Sequence, residues 1–213
     1  MRSRPRRSPT SRSPRGGRSR VSFTAPLASG AVTLADLSVY PYVDLLPAKV
    51  VAATMPIPAI DSATLTTLVS GTVCAIAVYI PSGVTVHSIS FLSGTTALAT
   101  GTHQVFGLYD NNLNLLATTT DDTSTAWAAQ SIKTLTLTPS DFTTTYDGLY
   151  YVAILVAATT VPSLTGEQPP TVTPLLASPY YAALYNTGQT ALPATLAFSA
   201  TRTSKPYAHL SSP

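Results

Sequence analysis

The fold is decided by residues 84–160, which contain bursts of alternating apolar and polar side chains: VTVHSISFL (84–92), HQVFGLYD (103–110), SIKTLTLTP (131–139) and LYYVAILVAA (149–158). Period-2 alternation over about four to eight residues, interrupted by Gly, Asn, Asp and Pro, is typical of half-buried strands. The last burst is almost continuously apolar, which predicts a central strand covered on both faces. The stretch therefore predicts a series of antiparallel strands.

Further strands are predicted on both sides of this stretch, at GTVCAIAVYI (71–80), YYAALY (180–185) and ATLAFSAT (194–201). Residues 81–83, Pro-Ser-Gly, predict a hairpin turn between strand 71–80 and the strand that begins at Val84. Proline presets φ and glycine supplies a positive φ in such a turn. About eight or nine short strands at roughly ten-residue spacing predict an all-β fold, an antiparallel β-sandwich or jelly roll.

Changes in composition divide the chain into four segments. Residues 1–20 form an Arg-rich arm, and residues 21–63 are an extended docking or linker segment because five prolines interrupt them. Residues 64–201 hold the predicted sandwich, in which the proline-rich stretch 162–179 is predicted to be a long recognition loop. Residues 202–213 are predicted to be a polar C-terminal tail.

The composition is poor in charge. Only 10% of the 213 residues are charged, against about a quarter in an average soluble domain, and 34 are threonine. Threonine makes the exposed face of a sheet polar without adding charge, so the surface tolerates contact with copies of itself. This favours an assembly subunit over a free monomer. No apolar run predicts a membrane helix or a secretory signal, and the single cysteine, Cys74, is predicted to be a buried strand thiol.

The N-terminal arm differs in charge from the rest of the chain. Residues 1–20 carry eight arginines and no acid, whereas the remainder carries four basic and nine acidic side chains, a formal −5. With no apolar side chain after Met1, the arm is predicted to be disordered in isolation. It is either a tether to a polyanion or an acidic protein surface, or a solvated tail. The arginines are Arg2, Arg4, Arg6, Arg7, Arg12, Arg15, Arg18 and Arg20.

Motifs for catalysis are scarce. The chain lacks G-x-S-x-G and H-E-x-x-H patterns, so no catalytic residue, cofactor or metal is predicted and the protein is not expected to be an enzyme. His87 is interpreted as a structural histidine. Asp110, Asn112 and Asn114 imitate a calcium loop, but Leu115 replaces its glycine, so a turn is predicted. A weaker calcium site at residues 121–122 stays open. Asp141 and Asp147 are interpreted as solvated loop acids rather than a hydrolytic pair.

Aromatic residues suggest a second kind of site. Exposed aromatic rings can stack on sugars, whereas in a β-sandwich they are more often core or interface anchors. Both interpretations stay open for the candidates, which are Trp127, Tyr146, Tyr150, Tyr151, Tyr180, Tyr181 and Tyr185.

The phrases GVTVHSISFLSGT (83–95), THQVFGLYDNNLNLLATTTDDT (102–123) with Trp127 following, and DGLYYVAILVAATTVPSLTG (147–166) carry a resemblance. Over residues 64–166 the chain resembles β-sandwich structural proteins of tailed bacteriophages of actinobacteria, those described as minor tail, head-fibre or tail-fibre proteins. The resemblance implies a non-enzymatic virion component, oligomeric, assembled in the host cytoplasm and displayed on a head or tail.

The sequence thus leads to one preferred function and two alternatives. The preferred function is a virion structural subunit that docks on other virion proteins and adheres to a host-surface glycan, without membrane contact. The basic arm departs from this pattern and leaves open a coat protein whose arm contacts the packaged genome. The third hypothesis is a carbohydrate-binding module that depends on Trp127.

Overall fold

The computed structural model describes residues 49–61, 65, 68–168, 182–184, 187–197, 200–201 and 204–213. Several predicted features lie outside the described residues. They are the arm at residues 1–20, residues 21–48 of the linker segment, residues 169–180 and the candidates Tyr181 and Tyr185. The described part holds fourteen strands and a single 3₁₀ turn, Ile57–Ala59, and no α-helix. The prediction of an antiparallel all-β fold is therefore confirmed. Within the described part, no helix is both long and apolar enough to span a bilayer.

The strands follow one another along the chain as short antiparallel segments. Their bounds are β1 Val50–Ala53, β2 Thr72–Ile80, β3 Thr85–Val86, β4 Ser88–Leu92, β5 Ala99–Tyr109, β6 Leu115–Thr119, β7 Ile132–Thr138, β8 Phe142–Thr143, β9 Gly148–Thr160, β10 Gly166–Glu167, β11 Ala182–Leu184, β12 Ala200–Thr201, β13 Lys205–Pro206 and β14 Ala208–Ser211.

Ten of the strands form one continuous ladder, in the order β1-β14-β4-β7-β6-β5-β9-β2-β11-β12. Inward side chains of β4, β7 and β14 share one buried cluster with those of β2, β5 and β9, so the ladder folds into two facing layers. Phe91 of β4 and Phe106 of β5 meet across this interface with ring centroids 4.8 Å apart. The short pairs β3–β8 and β10–β13 lie outside the ladder.

The centre of the fold is β9, which pairs with β5 on one side and β2 on the other. Residues Tyr150–Val156 are all buried, which confirms the prediction of a central strand covered on both faces. Cys74 of β2 lies opposite Ile154 of β9 and is fully buried, as predicted. The alternation in β7 is also confirmed, because Leu137 is buried while Thr134 and its alternate neighbours are exposed.

The predicted hairpin at residues 81–83 is wrong in its pairing. The turn exists, with Gly83 at φ +79°. However, β2 pairs with β9 and β11, whereas β3 pairs with β8 and β4 pairs with β14 and β7. The turn therefore carries the chain from one layer to the other, because both faces of β2 are apolar and need cover that a solvated hairpin partner does not provide.

The ends of the domain also differ from the sequence interpretation. Residues 204–213 are not a free polar tail, since β14 lies between β1 and β4 and its Ala208 and Leu210 are fully buried. Likewise, β1 belongs to the ladder although it precedes the predicted start of the sandwich at residue 64. Polar residues alternate with apolar ones in β14, and this short pattern resembles a tail when read without its partners.

A second apolar cluster lies on the other face of β2, β9 and β5, and includes Val73, Leu155 and Tyr109. Residues 187–197, here called the strap, cover it. The Gln189 N–H donates to the carbonyl of Gly71, the residue before β2, at 2.8 Å and so ties the strap to the start of that strand. The Tyr109 hydroxyl donates to the Pro193 carbonyl at 2.8 Å. Residues 104–109 of β5 are thus buried on both faces, so their alternation separates two cores rather than a core and a wet surface.

Gly107 of β5 is predicted to be required where the strap crosses the sheet. A Cβ atom at this position would overlap the Leu192 side chain and lie 3.2 Å from the Ala117 carbonyl oxygen. We expect Gly107→Ala to lower the free energy of unfolding by about 1–3 kcal/mol through overpacking. Urea denaturation measures this change. The double variant with Leu192→Ala should recover part of the loss, and an additive double variant would contradict the strap contact.

His209 of β14 is predicted to make stability depend on pH. Burial lowers the pKa of His209 below its ordinary 6.5, and its Nδ1 has no hydrogen-bond partner among the described residues. The unfolded chain takes up the proton at higher pH than the folded one. The contribution of the neutral His209 to stability is therefore fully present above pH 6.5. It falls as the pH drops below this value, towards the folded-state pKa.

Urea midpoints measured on both sides of pH 6.5 check this expectation. His209→Gln should reduce the pH dependence relative to the native chain. His87→Gln serves as the matched control, since His87 has 40% side-chain exposure and an Asp141 partner. An equal pH dependence in the native and His209→Gln proteins would contradict the assignment.

Candidate functional site at the end of the sandwich

Residues 120–131, here called the end loop, connect β6 to β7 and close one end of the sandwich. The Asp122 carboxylate folds the loop locally, accepting hydrogen bonds from the N–H groups of Ser124 and Thr125 at 3.2 and 2.8 Å. Short acidic side chains form such turns readily because they replace a backbone acceptor. The loop also contacts β5 directly, through the Asp122 N–H and the Gln104 carbonyl at 3.1 Å.

Trp127 anchors the end loop in the core. Its side chain is 2% exposed, and its ring lies edge-on to Phe106 with centroids 6.1 Å apart. The indole Nε1–H donates to the Ser131 carbonyl at 3.1 Å, and the Trp127 carbonyl accepts from the Leu98 N–H at 2.9 Å. Because both ring faces are covered, Trp127 takes the core role that its sequence left open, rather than presenting a platform for sugars.

A buried ion pair lies beneath the loop. Lys133 of β7 points inward opposite Phe91, and its Nζ lies 2.7 Å from the Asp122 carboxylate, with side-chain exposures of 7% and 16%. The Lys133 ammonium also donates to the Thr125 carbonyl at 3.1 Å. Burial alone would raise the pKa of Asp122. Hydrogen bonds from Lys133, Thr125 and Ser124 and the lysine charge outweigh it and lower that pKa from 3.8 to about 2.

Two neighbouring residues of β5 extend this polar cluster. The Gln104 side-chain Nε2 donates to the carbonyls of Asp122 and Thr125, at 3.1 and 2.9 Å. The Gln104 N–H donates to Asp121 Oδ1 at 3.0 Å, and Asp121 Oδ2 lies 2.6 Å from His103 Nδ1. The Asp121 carboxylate is therefore engaged by protein donors rather than arranged with Asp122 as a cation site.

Neither Gln104 nor Lys133 was identified from the sequence as a site residue, although the sequence contains the signal. Gln104 shares the inward face of β5 with Phe106 and Leu108, and Lys133 shares the inward face of β7 with Leu135 and Leu137. A polar side chain on the apolar face of an alternating strand needs a buried partner. Both partners come from the end loop.

A cavity of about 210 Å³ lies between the end loop and the start of β5. The strand is irregular there, with a shift of register between Gly101 and His103 and with Thr100 at φ +47°. Such a conformation is strained for a β-branched residue. Side chains that line the cavity include Leu98, Thr100, Gln104, Ser124, Thr125 and Ala126.

Of the candidate aromatics, the structure stacks only Tyr146 and Tyr150 on each other among the described residues. Tyr146 stacks on Tyr150 with centroids 4.4 Å apart, and its hydroxyl accepts from the Asn111 N–H at 3.0 Å, beyond the C-terminal end of β5. Trp127 packs on Phe106 of the same strand, and its side chain is 2% exposed, so it cannot form an exposed platform with Tyr146. Tyr151 is buried in β9, and the remaining candidate tyrosines lie outside the described residues.

The remaining sequence candidates have local partners. Asp110 accepts from the N–H groups of Asn112 and Asn114 at 2.9 and 2.8 Å, which makes the turn predicted in place of a calcium loop. His87 Nδ1 lies 2.6 Å from Asp141. Asp147 accepts from the Ser82 N–H at 2.7 Å. Across the described ranges, no three His, Cys, Asp or Glu side chains form a group that could hold a metal ion.

The end of the sandwich thus combines a buried ion pair, an oriented imidazole and a small cavity. The His103–Asp121 pair fixes the orientation of one imidazole, but orientation alone does not define a reaction. The cavity and the cluster beneath it are better suited to holding a small polar group. No protein-family model and no curated protein matches this chain.

Proposed function

We propose that the protein is a structural subunit of a virus particle, of the tailed-bacteriophage kind, which assembles with copies of itself and adheres to host-surface glycan. The observation that supports this proposal is that the described acidic side chains already have partners within the fold. Each of the six described aspartates accepts a hydrogen bond or pairs with a cation, and Glu167 lies opposite Lys205 in the β10–β13 pair.

The outer face of β7 is uncharged and rich in hydroxyl groups. On β7 the outward side chains are Ile132, Thr134, Thr136 and Thr138, and all are exposed. Two copies that meet through such a face do not repel each other electrostatically. Threonine hydroxyls can exchange hydrogen bonds with water for hydrogen bonds across an interface, so burying them costs less than burying charges. We therefore assign the contact between copies to the outer face of β7.

The phage assignment is supported by the resemblance over residues 64–166, together with the sandwich fold that the resemblance implies. A sandwich alone supports many functions, so the assignment depends on the assembly test. Light scattering of the full chain measures its mass in solution. We expect a discrete oligomer for the native protein and a smaller species for Thr134→Glu/Thr136→Glu, because like charges would face each other at the contact.

The matched control is Ser140→Glu/Thr145→Glu, which adds the same charge at exposed positions of the loop around β8. It should keep the native mass. Equal masses for the native protein and the β7 variant would contradict the proposed contact, and a monomeric native protein would contradict the assembly role.

The coat-protein alternative is kept because the same observation also favours it. The described carboxylates already have local partners, and the arm itself carries eight arginines and no acid. Those arginines are therefore available to an external polyanion, such as a packaged genome.

Binding of duplex DNA by the full chain and by a chain that starts at Val21 tests this alternative. If all eight arginines engage phosphates, log K should fall with log salt at a slope of about −7. The shorter chain should lose this binding. Equal binding by both chains, or binding insensitive to salt, would argue against a genome-contacting arm.

A further inference from the structure

The amide of Gln104 is held in one orientation and leaves one atom without a partner. Its Nε2 donates to two carbonyl groups, those of Asp122 and Thr125. Rotating the amide by 180° would place Oε1 against both carbonyl oxygens, so the orientation is fixed by chemistry. Gln104 Oε1 is buried and has no hydrogen-bond partner among the described residues. A buried amide oxygen without a donor is costly and calls for an explanation.

The cavity beside Gln104 provides room for the missing donor. Its 210 Å³ equals the liquid volume of about seven waters, yet it is smaller than the roughly 300–1,000 Å³ of pockets for drug-sized ligands. A single ring is the size that fits. Thr100, Ser124, Thr125 and Ala126 of its wall are exposed, so the cavity opens to solvent. The occupant can therefore be the terminal residue of a longer molecule.

The chemistry of the wall defines the kind of occupant. Three hydroxyl side chains, on Thr100, Ser124 and Thr125, surround the cavity together with the Gln104 amide and the apolar Leu98 and Ala126. Both nearby carboxylates already have protein partners, Asp122 in Lys133 and Asp121 in His103, and no charged side chain lines the cavity to hold an ionic ligand. Many hydroxyl donors and acceptors around one apolar patch match a neutral sugar ring.

We infer that the end-loop cavity is a binding site for one neutral sugar residue, whose hydroxyl group donates to Gln104 Oε1. This inference deepens the adhesive part of the proposed function and rests on it for the source of the sugar, a surface glycan. Oε1 is shielded from solvent in the free protein, so binding requires a small local movement that opens it to the cavity. Because Trp127 does not line the cavity, hydrogen bonds rather than ring stacking hold the sugar.

The test uses NMR of the full-length protein with glucose, galactose, mannose, rhamnose and N-acetylglucosamine as separate probes. We expect at least one of them to shift the Gln104 side-chain amide signal and the backbone signals of Ser124 and Thr125. Ala126→Trp, which fills the cavity mouth, should weaken binding at least about tenfold. The matched control is Ala128→Trp, at an exposed end-loop alanine outside the cavity wall, and it should bind like the native protein.

Several outcomes would overturn the site. One is the absence of any shift at about 50 mM sugar, a concentration that fills most sites with millimolar affinity. Another is equal binding by the native protein and Ala126→Trp, which would place the sugar elsewhere. Displacement of the same signals by choline but by no sugar would assign the cavity to a cation instead.

Two further measurements identify the source of the sugar and separate sugar binding from assembly. An oligosaccharide that ends in the active sugar should shift the same signals if a glycan terminus is recognised. Failure of the oligosaccharide, with binding of the free sugar, would overturn the glycan source. Mass measurements on the same samples distinguish the two proposals, since Ala126→Trp leaves the β7 face unchanged. A native oligomer without sugar binding overturns only the site, and a monomer that binds sugar overturns only the assembly role.

Discussion

A chain that ends at Tyr207 is expected not to fold. The deletion removes β14, which lies between β1 and β4, and so leaves two strands without their common partner. It also removes Ala208 and Leu210, which are fully buried in the core between the layers. A small domain has a stability of only about 5–15 kcal/mol, which the loss of one internal strand exceeds.

Further contacts explain why the loss is not local. The His87 N–H donates to the Ser211 carbonyl at 2.8 Å, and the Thr54 N–H donates to the Ala208 carbonyl at 2.9 Å. Without β14 these donors lose their acceptors, and the inner faces of two strands become accessible to water. Circular dichroism and proteolysis of the truncated chain should show an unfolded or aggregated protein.

A point variant tests the packing of β14 in a protein that still folds. Leu210→Ala should lower the free energy of unfolding by about 2–5 kcal/mol, because it leaves a cavity between the layers. Deletion of Pro213 alone, an exposed residue, is the matched control and should leave stability unchanged. A truncated chain with native stability would show that residues 208–213 are a tail, as their composition suggests.

Asp122→Ala is expected to destabilise the fold strongly. It leaves the Lys133 ammonium, 7% exposed, without its carboxylate, and it removes the acceptor of the Ser124 and Thr125 N–H groups. Breaking a buried ion pair from one side costs about 3–5 kcal/mol. We expect the lower end, about 3 kcal/mol, since Asp122 retains 16% exposure and is partly solvated.

The double variant Asp122→Ala/Lys133→Met should be more stable than Asp122→Ala, because the unpaired charge is gone and an apolar chain fills its space. Asp141→Ala is the control. Its partner His87 and its own side chain are 40% and 35% exposed, so the change should cost about 0–1 kcal/mol. Chemical denaturation of the native protein and these three variants measures the differences. Equal losses in Asp122→Ala and Asp141→Ala would contradict the burial of the pair.

Acid titration supplies a second readout of the pair. The pKa of Asp122 is lowered in the folded protein, so the ionised carboxylate stabilises the fold. Its contribution is fully present above pH 3.8 and is lost as the pH falls towards about 2. The native protein should therefore lose more stability over this range than Asp122→Asn does. Parallel acid profiles would show that the carboxylate is not paired in solution.

The periodic strands could be predicted from the sequence because their burial follows local alternation. This holds for β7, where leucines and threonines alternate, and for the apolar β9. Pairing between strands could not be predicted in the same way. The turn at Gly83 has the chemistry of a hairpin, yet it connects two layers, because the partners of β2 are chosen by burial on both faces.

The site was predicted less well because its parts are distant in sequence. Lys133 and Gln104 interrupt apolar faces, but only the fold brings Asp122 and Thr125 over them. Trp127 shows the opposite problem. Its isolation in a polar loop, followed by exposed alanine, gives no local sign that its ring is inserted against Phe106.

We propose that copies of the protein assemble through the uncharged outer face of β7. Light scattering of the full-length native protein over a range of protein and salt concentrations tests it most directly. We expect a discrete oligomer whose mass changes little with salt, because the outer face of β7 carries no charge to screen. A protein that stays monomeric at every concentration would contradict the claim.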